Sequence, residues 1–580
     1  MGRAIALLTA ATAVLCIAAA AAQSTTPAPA DQKAQYESGG PKSVVELQQF
    51  RRTDMAAVSG AGGRRGMATL VNLNPRANAW FLLTLQWAGG QPISYHLESP
   101  APRQRHLTLD GGSAALRLPD GGTCAPWSGE PSELDGAQRV GLPFAPLCGG
   151  RLFLRNAASG HRTNLERVTD FLRDHVWRGE AIVRFVREEF YRDSFAETSR
   201  PETAAQTAGA GQPSGAPAPA EIDPAFAGRT VAPGSLGIRV DGAPSRQLAL
   251  GGWYRASGLS GVYVSAIEPQ AVARSVLESH PARVNPLDSV EGAALTYLIA
   301  FDLGAFDLGF AMGTDHPRVD WSPRPPVSKD GLPGPDGFAT IAPLVNTGML
   351  TPALSGRVVA TFTGGFRRSH GAFKYGDLAT RNRGSHYGFV EQGVVLSKLQ
   401  PGLATLVVLD DGTVEMKTWT AADDERLGRV VFARQNGVPL VERDVQSGAP
   451  VPGALVNRWG PGNWSGSADM DLRTLRAGAC LAEAEGRRFL IYAYFSTATP
   501  SAMARVFQAY NCGYAMLLDM NALEHTYLAA YPRRGDTVVV EHLVTGMAQI
   551  DKTERGQLIP RFIGFPDNRD FFYVLRRERP

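Results

Sequence analysis

Apolar and polar positions alternate along the first folded stretch of the chain. Phe81, Leu83, Leu85 and Trp87 occupy every second position, Gly89-Gly90 supplies a turn, and Ile93, Tyr95 and Leu97 resume the alternation. Leu107 and Leu109, then Leu116 and Leu118, flank Asp110-Gly111-Gly112, a second hairpin signal. This succession of short strands predicts a small antiparallel, all-β sandwich over about 65–158. The period then changes. Asn164 reads as a helix N-cap, and Leu165, Val168, Phe171, Leu172 and Val176 fall on one helical face. Ile182, Phe185, Val186 and Phe190 continue that face beyond Gly179, with Arg and Glu opposite. A helix or helix pair packed on the sandwich completes a β-sandwich-like domain over 65–192.

Residues 193–227 read as a linker. The stretch 197–224 has no apolar face and is rich in Ala, Pro and Gly, so it cannot bury enough surface to fold alone. Beyond 228 the apolar runs lengthen. Strands are expected at 262–264, 297–303, 358–362, 403–409, 430–434 and 489–494, with Phe306, Leu308 and Phe310 alternating. Thr499 caps a helix with Pro500 in its first turn, Met503, Val506, Phe507 and Tyr510 form its stripe, and Gly513 ends it. A strand at 514–518 then closes on Asp519. Strands interspersed with helices predict a C-terminal mixed α/β (α+β) domain over 228–580.

The chain start changes the expected compartment. Arg3 precedes an alanine-rich apolar run over 4–22 ending in Ala20-Ala21-Ala22, the pattern of a cleavable signal peptide over 1–22. An uncleaved anchor is the competing reading, since the run is almost long enough to span a bilayer. No later stretch is long and apolar enough to cross, so after cleavage no integral membrane span is expected. Residues 23–64 are polar and expected to be disordered. The reading is of a periplasmic or secreted protein. Beside Cys16 there are Cys124, Cys148, Cys480 and Cys512, an even set suited to structural disulfides. Three pairings are possible, and Cys124–Cys148 with Cys480–Cys512 keeps each bridge inside one domain.

The 580 residues suggest two or three domains, and 44% hydrophobic with 19% charged residues suits a sizeable core. A net charge of +3 gives no reason to invoke nucleic acid or an anionic membrane.

Candidate chemistry gathers in the C-terminal portion. Thr363-Gly364-Gly365-Phe366-Arg367-Arg368 follows a strand directly. Paired glycines let backbone amides approach an anion, and Arg367 and Arg368 could grip phosphate oxygens. The plainer reading is a tight strand-exit turn with solvated arginines. Asp519 closes its strand where α/β proteins place ligands, followed by Asn521, Glu524 and His525. It could act as acid, base or nucleophile on a glycosidic bond with Glu524 as a second carboxyl group, or simply cap the next segment. Asp469 and Asp471 follow a Gly/Trp/Asn-rich loop and could orient a polar ligand or be solvated. His370, His386, His525 and His542 show no metal spacing, so no metal and no cofactor are expected. Phosphate-loop, nucleophile-elbow, zinc-helix and dinucleotide fingerprints are all missing.

The order of these pieces over about 259–550 resembles the phosphodiester glycosidase family. Phe362-Thr363-Gly364-Gly365-Phe366 is similar to that family's Asn-Gly-Gly-Phe-Phe turn. Asp302-Leu303 resembles its early core strand, and Gly388-Phe389 with Glu391-Gln392-Gly393 its following turn. Asn436-Gly437-Val438-Pro439-Leu440-Val441 resembles its Gly-Pro-x-Leu-Val element. Arg476-Ala477-Gly478 resembles its Arg-Thr-Ala-x-Gly hairpin, and Met516-Leu517-Leu518-Asp519 its Leu-Asn-Leu-Asp. Thr363 and Arg367 depart from the family's Asn and second Phe, and Met520-Asn521-Ala522-Leu523 replaces Gly-Gly-Gly-Ser. The resemblance implies an exported hydrolase-like protein cleaving a glycosyl-1-phosphodiester linkage in envelope or extracellular glycan. Gly364, Gly365, Arg367, Arg368, His386 and Asn521 would bind substrate. Asp519, Arg476 and Glu524 would do the chemistry, with a carbohydrate or sugar-phosphate polymer as partner. The alternative is a catalytically inactive glycan-binding or envelope-assembly protein on the same fold, because Met and Leu side chains partly fill the space that glycines would leave.

Overall fold

The computed structural model describes residues 43–100, 106–164, 166–168, 171, 193–198, 212–243, 247–315, 341–365, 388–458 and 470–578. The predicted signal peptide lies outside them. The N-terminal sheet has six strands, in the order Arg52–Ser59, Arg65–Asn72, Trp80–Trp87, Ile93–Glu98, Leu152–Arg155, Phe144–Leu147. Alternation sets its register: Phe81 faces Leu97, Leu83 faces Tyr95 and Leu85 faces Ile93. One face packs Phe81, Leu83, Leu97 and Tyr95 against Leu109 and Leu116 of a three-stranded sheet and Leu134 of helix Glu133–Val140. That helix was not evident in the sequence. Ser132 caps it, accepting from Asp135 N at 3.1 Å. The opposite face carries Trp80 and Leu82 into the large core shared with the rest of the chain.

Three sheets form the remainder. Eight strands run Trp253–Arg255, Val262–Ile267, Thr296–Asp302, Arg487–Ala498, Thr474–Ala484, Cys512–Met520, Pro439–Arg443, Pro450–Pro452. A five-stranded sheet runs Phe306–Ala311, Phe571–Arg576, Val358–Thr363, Leu528–Ala530, Glu541–His542. The second five-stranded sheet runs Val394–Ser397, Phe389–Glu391, Val430–Gln435, Ala404–Leu409, Val414–Thr418. The helix Pro500–Ala509 packs on the eight-stranded sheet with every residue buried, and Thr499 Oγ1 accepts from Ala502 N at 3.2 Å.

The expected fold class is therefore corrected. Strand neighbours in these sheets pair antiparallel throughout, and the chain is mostly β rather than an all-β domain followed by an α/β one. Among the described residues after 228, the other α-helices, Arg274–Leu277 and Ser289–Ala293, are single turns. Continuous apolar runs such as Thr296–Asp302 report burial on both faces, which parallel sheets share with stacked antiparallel ones. The two portions also share one core, so they are not separately built layers.

Two segments read as unstructured are partly built in. Val44 and Leu47 of the short helix Val44–Leu47 are fully buried, with a Ser43/Glu46 capping box, and Gln48 Nε2 donates to Val395 O at 2.7 Å. The described second half of the expected linker docks: Ala220 N donates to Gly251 O and Glu221 N to Ala509 O. Of the predicted helix after Asn164, Glu166 is buried while Val168 and Phe171 are exposed; most of the rest lies outside the described residues. Cys124–Cys148 and Cys480–Cys512 are disulfide-bonded, the pairing that stays local. Among the described residues no helix is long and apolar enough to cross a membrane.

Candidate active site

The strand Cys512–Met520 is buried along nearly its whole length and ends on a carboxylate. Asn521 turns the chain with φ +81°, a conformation Asn tolerates because its short side chain bonds locally. Asp519 Oδ1 accepts from Met520 N at 2.8 Å, and Oδ2 accepts from Arg569 Nη1 at 2.7 Å. Arg569 also donates from Nε and Nη2 to Glu166 Oε1, at 2.9 and 2.8 Å. One buried guanidinium thus bridges two buried carboxylates. His525 closes the group: its Nε2 is 3.9 Å from Glu166 Oε1, and Nδ1 is 2.6 Å from Met520 O. A carbonyl can only accept, so Nδ1 carries a proton.

Arg569 belongs to Asp567-Asn568-Arg569-Asp570, the polar tetrad just before strand Phe571–Arg576. Three of its four residues enter buried ion pairs. Asp567 binds Arg561 at 2.7 and 2.9 Å, and Asp570 lies 3.2 Å from Arg434 Nε. Burial alone would lower the Arg561 pKa, but attraction to Asp567 and its hydrogen bonds hold it above the ordinary value. Arg561 Nη1 also donates to Glu524 O at 2.6 Å, fixing the loop after Asp519. The tetrad's fourth residue, Asn568, is buried with no hydrogen-bond partner for its carboxamide among the described residues.

The glycine pair meets this group from the strand Val358–Thr363. Gly364 N donates to Asp570 O at 2.7 Å, and a Cβ there would stand 3.2 Å from the Asp570 backbone. Gly365 has φ +141°, and a Cβ on it would lie 3.1 Å from both Arg434 Nη2 and the Asn436 carboxamide. Asn436 Nδ2 in turn donates to Leu517 O at 2.7 Å and to Leu518 O. It links the glycine turn to the strand that ends in Asp519, and its Oδ1 is buried without a hydrogen-bond partner among the described residues.

The other expected residues fall as follows. Arg476 sits opposite Met520 on the neighbouring strand and is fully buried. Its Nε donates to Ala498 O at 2.7 Å, Nη2 to Leu472 O at 2.8 Å, and Nη1 lies 3.8 Å from Met520 Sδ. Asn521 shares that sheet end: its N donates to Leu475 O and its Oδ1 accepts from Thr474 Oγ1 at 3.1 Å. Glu524 is 9% exposed. Asp471 accepts from Asn285 Nδ2 at 3.1 Å, and Asp302 is paired with Arg487. His542 Nε2 lies 3.0 Å from Asp551 Oδ2, in a separate buried group with Tyr527. Arg367, Arg368, His370, His386 and Asp469 lie outside the described residues.

Sequence reading passed over Glu166, Arg434, Arg569 and Asp570. The available signal was a charged tetrad abutting the buried run Phe571–Leu575, since charges there must be paired to be buried. The Cys124, Glu133 and Cys148 side chains also converge, but the sulfurs form a disulfide and Glu133 Oε1 accepts from Cys148 N at 2.6 Å.

No family model and no curated protein matches the chain. Among solved structures it is similar to the catalytic domain of zebrafish N-acetylglucosamine-1-phosphodiester α-N-acetylglucosaminidase, auto-inhibited by its pro-peptide. The likeness has a TM-score of 0.28 and 9% identity, covering 63% of this chain and 96% of that one. A hypothetical protein from Synechocystis matches with a TM-score of 0.27 and 10% identity, over 91% of this chain and 97% of that one. Both likenesses are distant.

Proposed function

We propose that this chain is an exported hydrolase-like protein that cleaves a glycosyl-1-phosphodiester linkage in envelope or extracellular glycan, with Asp519 as the working carboxylate. The observation that carries the reading is the convergence of a strand-end carboxylate, a buried guanidinium and the Gly364-Gly365 turn, joined through Asn436. A carboxylate held by Arg569 and by a backbone amide has a fixed orientation, which suits attack on, or charge stabilisation of, an anomeric carbon. Glu524 on the adjoining loop is the second carboxyl group, and the main chain at Gly365, beyond the Gly364 amide already given to Asp570 O, is the approach for the phosphate. Two disulfides support an oxidising compartment. The test is release of free sugar from a synthetic glycosyl-1-phosphodiester. Wild-type turnover with none in Asp519→Asn supports the reading, and equal turnover by the two proteins removes Asp519 from it.

A second reading has its own observation. Asp519 is only 3% exposed, and Met520, in the stretch that replaces the family's glycines, is 1% exposed against Arg476. Both Asp519 oxygens are engaged. That packing favours glycan binding without hydrolysis. Glycan binding that survives Asp519→Asn, with no sugar released by the wild type, would select it.

A further inference from the structure

Beside the tetrad loop lies an open cleft of about 320 Å³, walled by Gly160, His161, Arg162, Arg167, Lys552 and Pro566. The loop is shared: His161 N donates to Pro566 O at 2.8 Å, and a Cβ on Gly160 would come within 2.6 Å of Asn568 N. Glu166, which grips Arg569, immediately precedes Arg167. The cleft and the Asp519 group are therefore built on the same two chain segments.

Its charge is one-sided. Arg162 is paired with Asp315. Arg167 and Lys552 are exposed, and neither has a carboxylate within ion-pair distance among the described residues. Lys552 Nζ instead sits 4.2 Å above the Phe565 ring, which holds the ammonium at the cleft edge without neutralising it. The nearby acids are already committed, Asp567 to Arg561 and Glu166 to Arg569. Two cations with no acidic partner among the described residues, a partly buried imidazole and a glycine where backbone approaches closely make a pocket for a small anion with several acceptor oxygens.

We infer that this cleft is a binding subsite for a phosphate group. The inference deepens the proposed function, on which it rests for the link to substrate: a phosphate held here while another linkage lies at Asp519 requires a polymer with repeating phosphates. Arg167 and Lys552 supply the charge, and His161 the close hydrogen bond. Burial and, next, the positive charge of Lys552 lower the His161 pKa, with Arg561 lowering it further and Asp567 and Glu166 opposing. A bound anion reverses that balance and raises it.

The test uses the full chain with two probes at matched ionic strength, inorganic phosphate and a short glycerol-phosphate oligomer, read by calorimetry and by NMR titration of His161. The expected result is binding of at least one probe, a rise in the His161 pKa on binding, and at least tenfold weaker binding in Arg167→Ala/Lys552→Ala. Tighter binding of the oligomer identifies a polymer phosphate, and tighter binding of inorganic phosphate a free one. Arg139→Ala, at an exposed cation elsewhere, should leave binding unchanged. Both cleft residues are solvent-exposed, so the double variant should fold, and Lys552→Glu alone offers a second check. Absence of binding by both probes, or equal binding by the double variant, overturns the subsite. Phosphate binding that persists in Asp519→Asn, together with no sugar release by the wild type, keeps the subsite and removes the hydrolase reading.

Discussion

Arg569 Nη1 donates to Asp519 Oδ2 across 2.7 Å, and side-chain exposures of 1% and 4% leave the pair nearly dry. The same guanidinium holds Glu166, more than four hundred residues away in sequence. Burying such charges is unfavourable unless every one is paired with good geometry. Arg569 is therefore the centre on which the helix start, the strand end and the tetrad loop are assembled.

Removing that centre strands two buried acids. Arg569→Ala should destabilise the protein by about 3–5 kcal/mol, the usual cost of leaving a buried charge uncompensated. Denaturant unfolding followed by tryptophan fluorescence checks it. A loss below 1 kcal/mol would mean the two carboxylates find other partners or water.

Asp519→Asn is a milder change to the fold. Arg569 keeps Glu166, and an amide oxygen can still accept from Met520 N. A stability loss of about 1–2 kcal/mol is expected, with loss of any sugar release. Measured in one preparation, the melting curve and the turnover assay separate the structural role of Asp519 from its chemical one.

Gly365→Ala tests the turn. At φ +141° an L side chain is strained, and its Cβ would press on Arg434 and Asn436, whose own bonds allow little retreat. A loss of about 1–3 kcal/mol follows from the backbone strain. Gly356→Ala is the control: its Cβ would meet nothing within 4 Å. Equal melting temperatures for the two variants would show that the turn relaxes freely.

Glu391 predicts a pH dependence. Burial raises its pKa to about 8, with Glu98 and Asp570 adding to the rise and Arg155 and the Met312 amide opposing it. A raised native pKa means the unfolded chain ionises first as pH increases. Its stabilising contribution is complete below the ordinary glutamate value of 4.5 and declines up to about 8. The slope should reach about 1.4 kcal/mol per pH unit from this group. Glu391→Gln keeps an acceptor for Met312 N, 2.9 Å away in the wild type, and should flatten that slope in urea melts between pH 5 and 8. An unchanged slope would assign the pH dependence to other groups.

The hairpin from Phe81 to Leu97 and the helix Pro500–Ala509 were legible because alternation, helical stripe and capping residue are all local properties. Asp519 and Gly364-Gly365 stood out for the same reason, as polar or bare positions at the ends of apolar runs. Helix Val44–Leu47 escaped notice because four residues carry too little periodicity to read. The tetrad's role escaped because nothing in Asp-Asn-Arg-Asp announces which charges will be buried.

By itself the amino-acid order placed several of the strands and turns, showed which cysteines could bridge locally, and put a carboxylate at the end of one buried strand. Only the tertiary structure decided strand direction, since an apolar run records burial but not the orientation of its neighbours. It also decided the partner of Asp519. Arg569 is recruited by the need to neutralise carboxylates in a dry interior, Asp519 and Glu166 alike, and that need arises only once distant segments have closed around it.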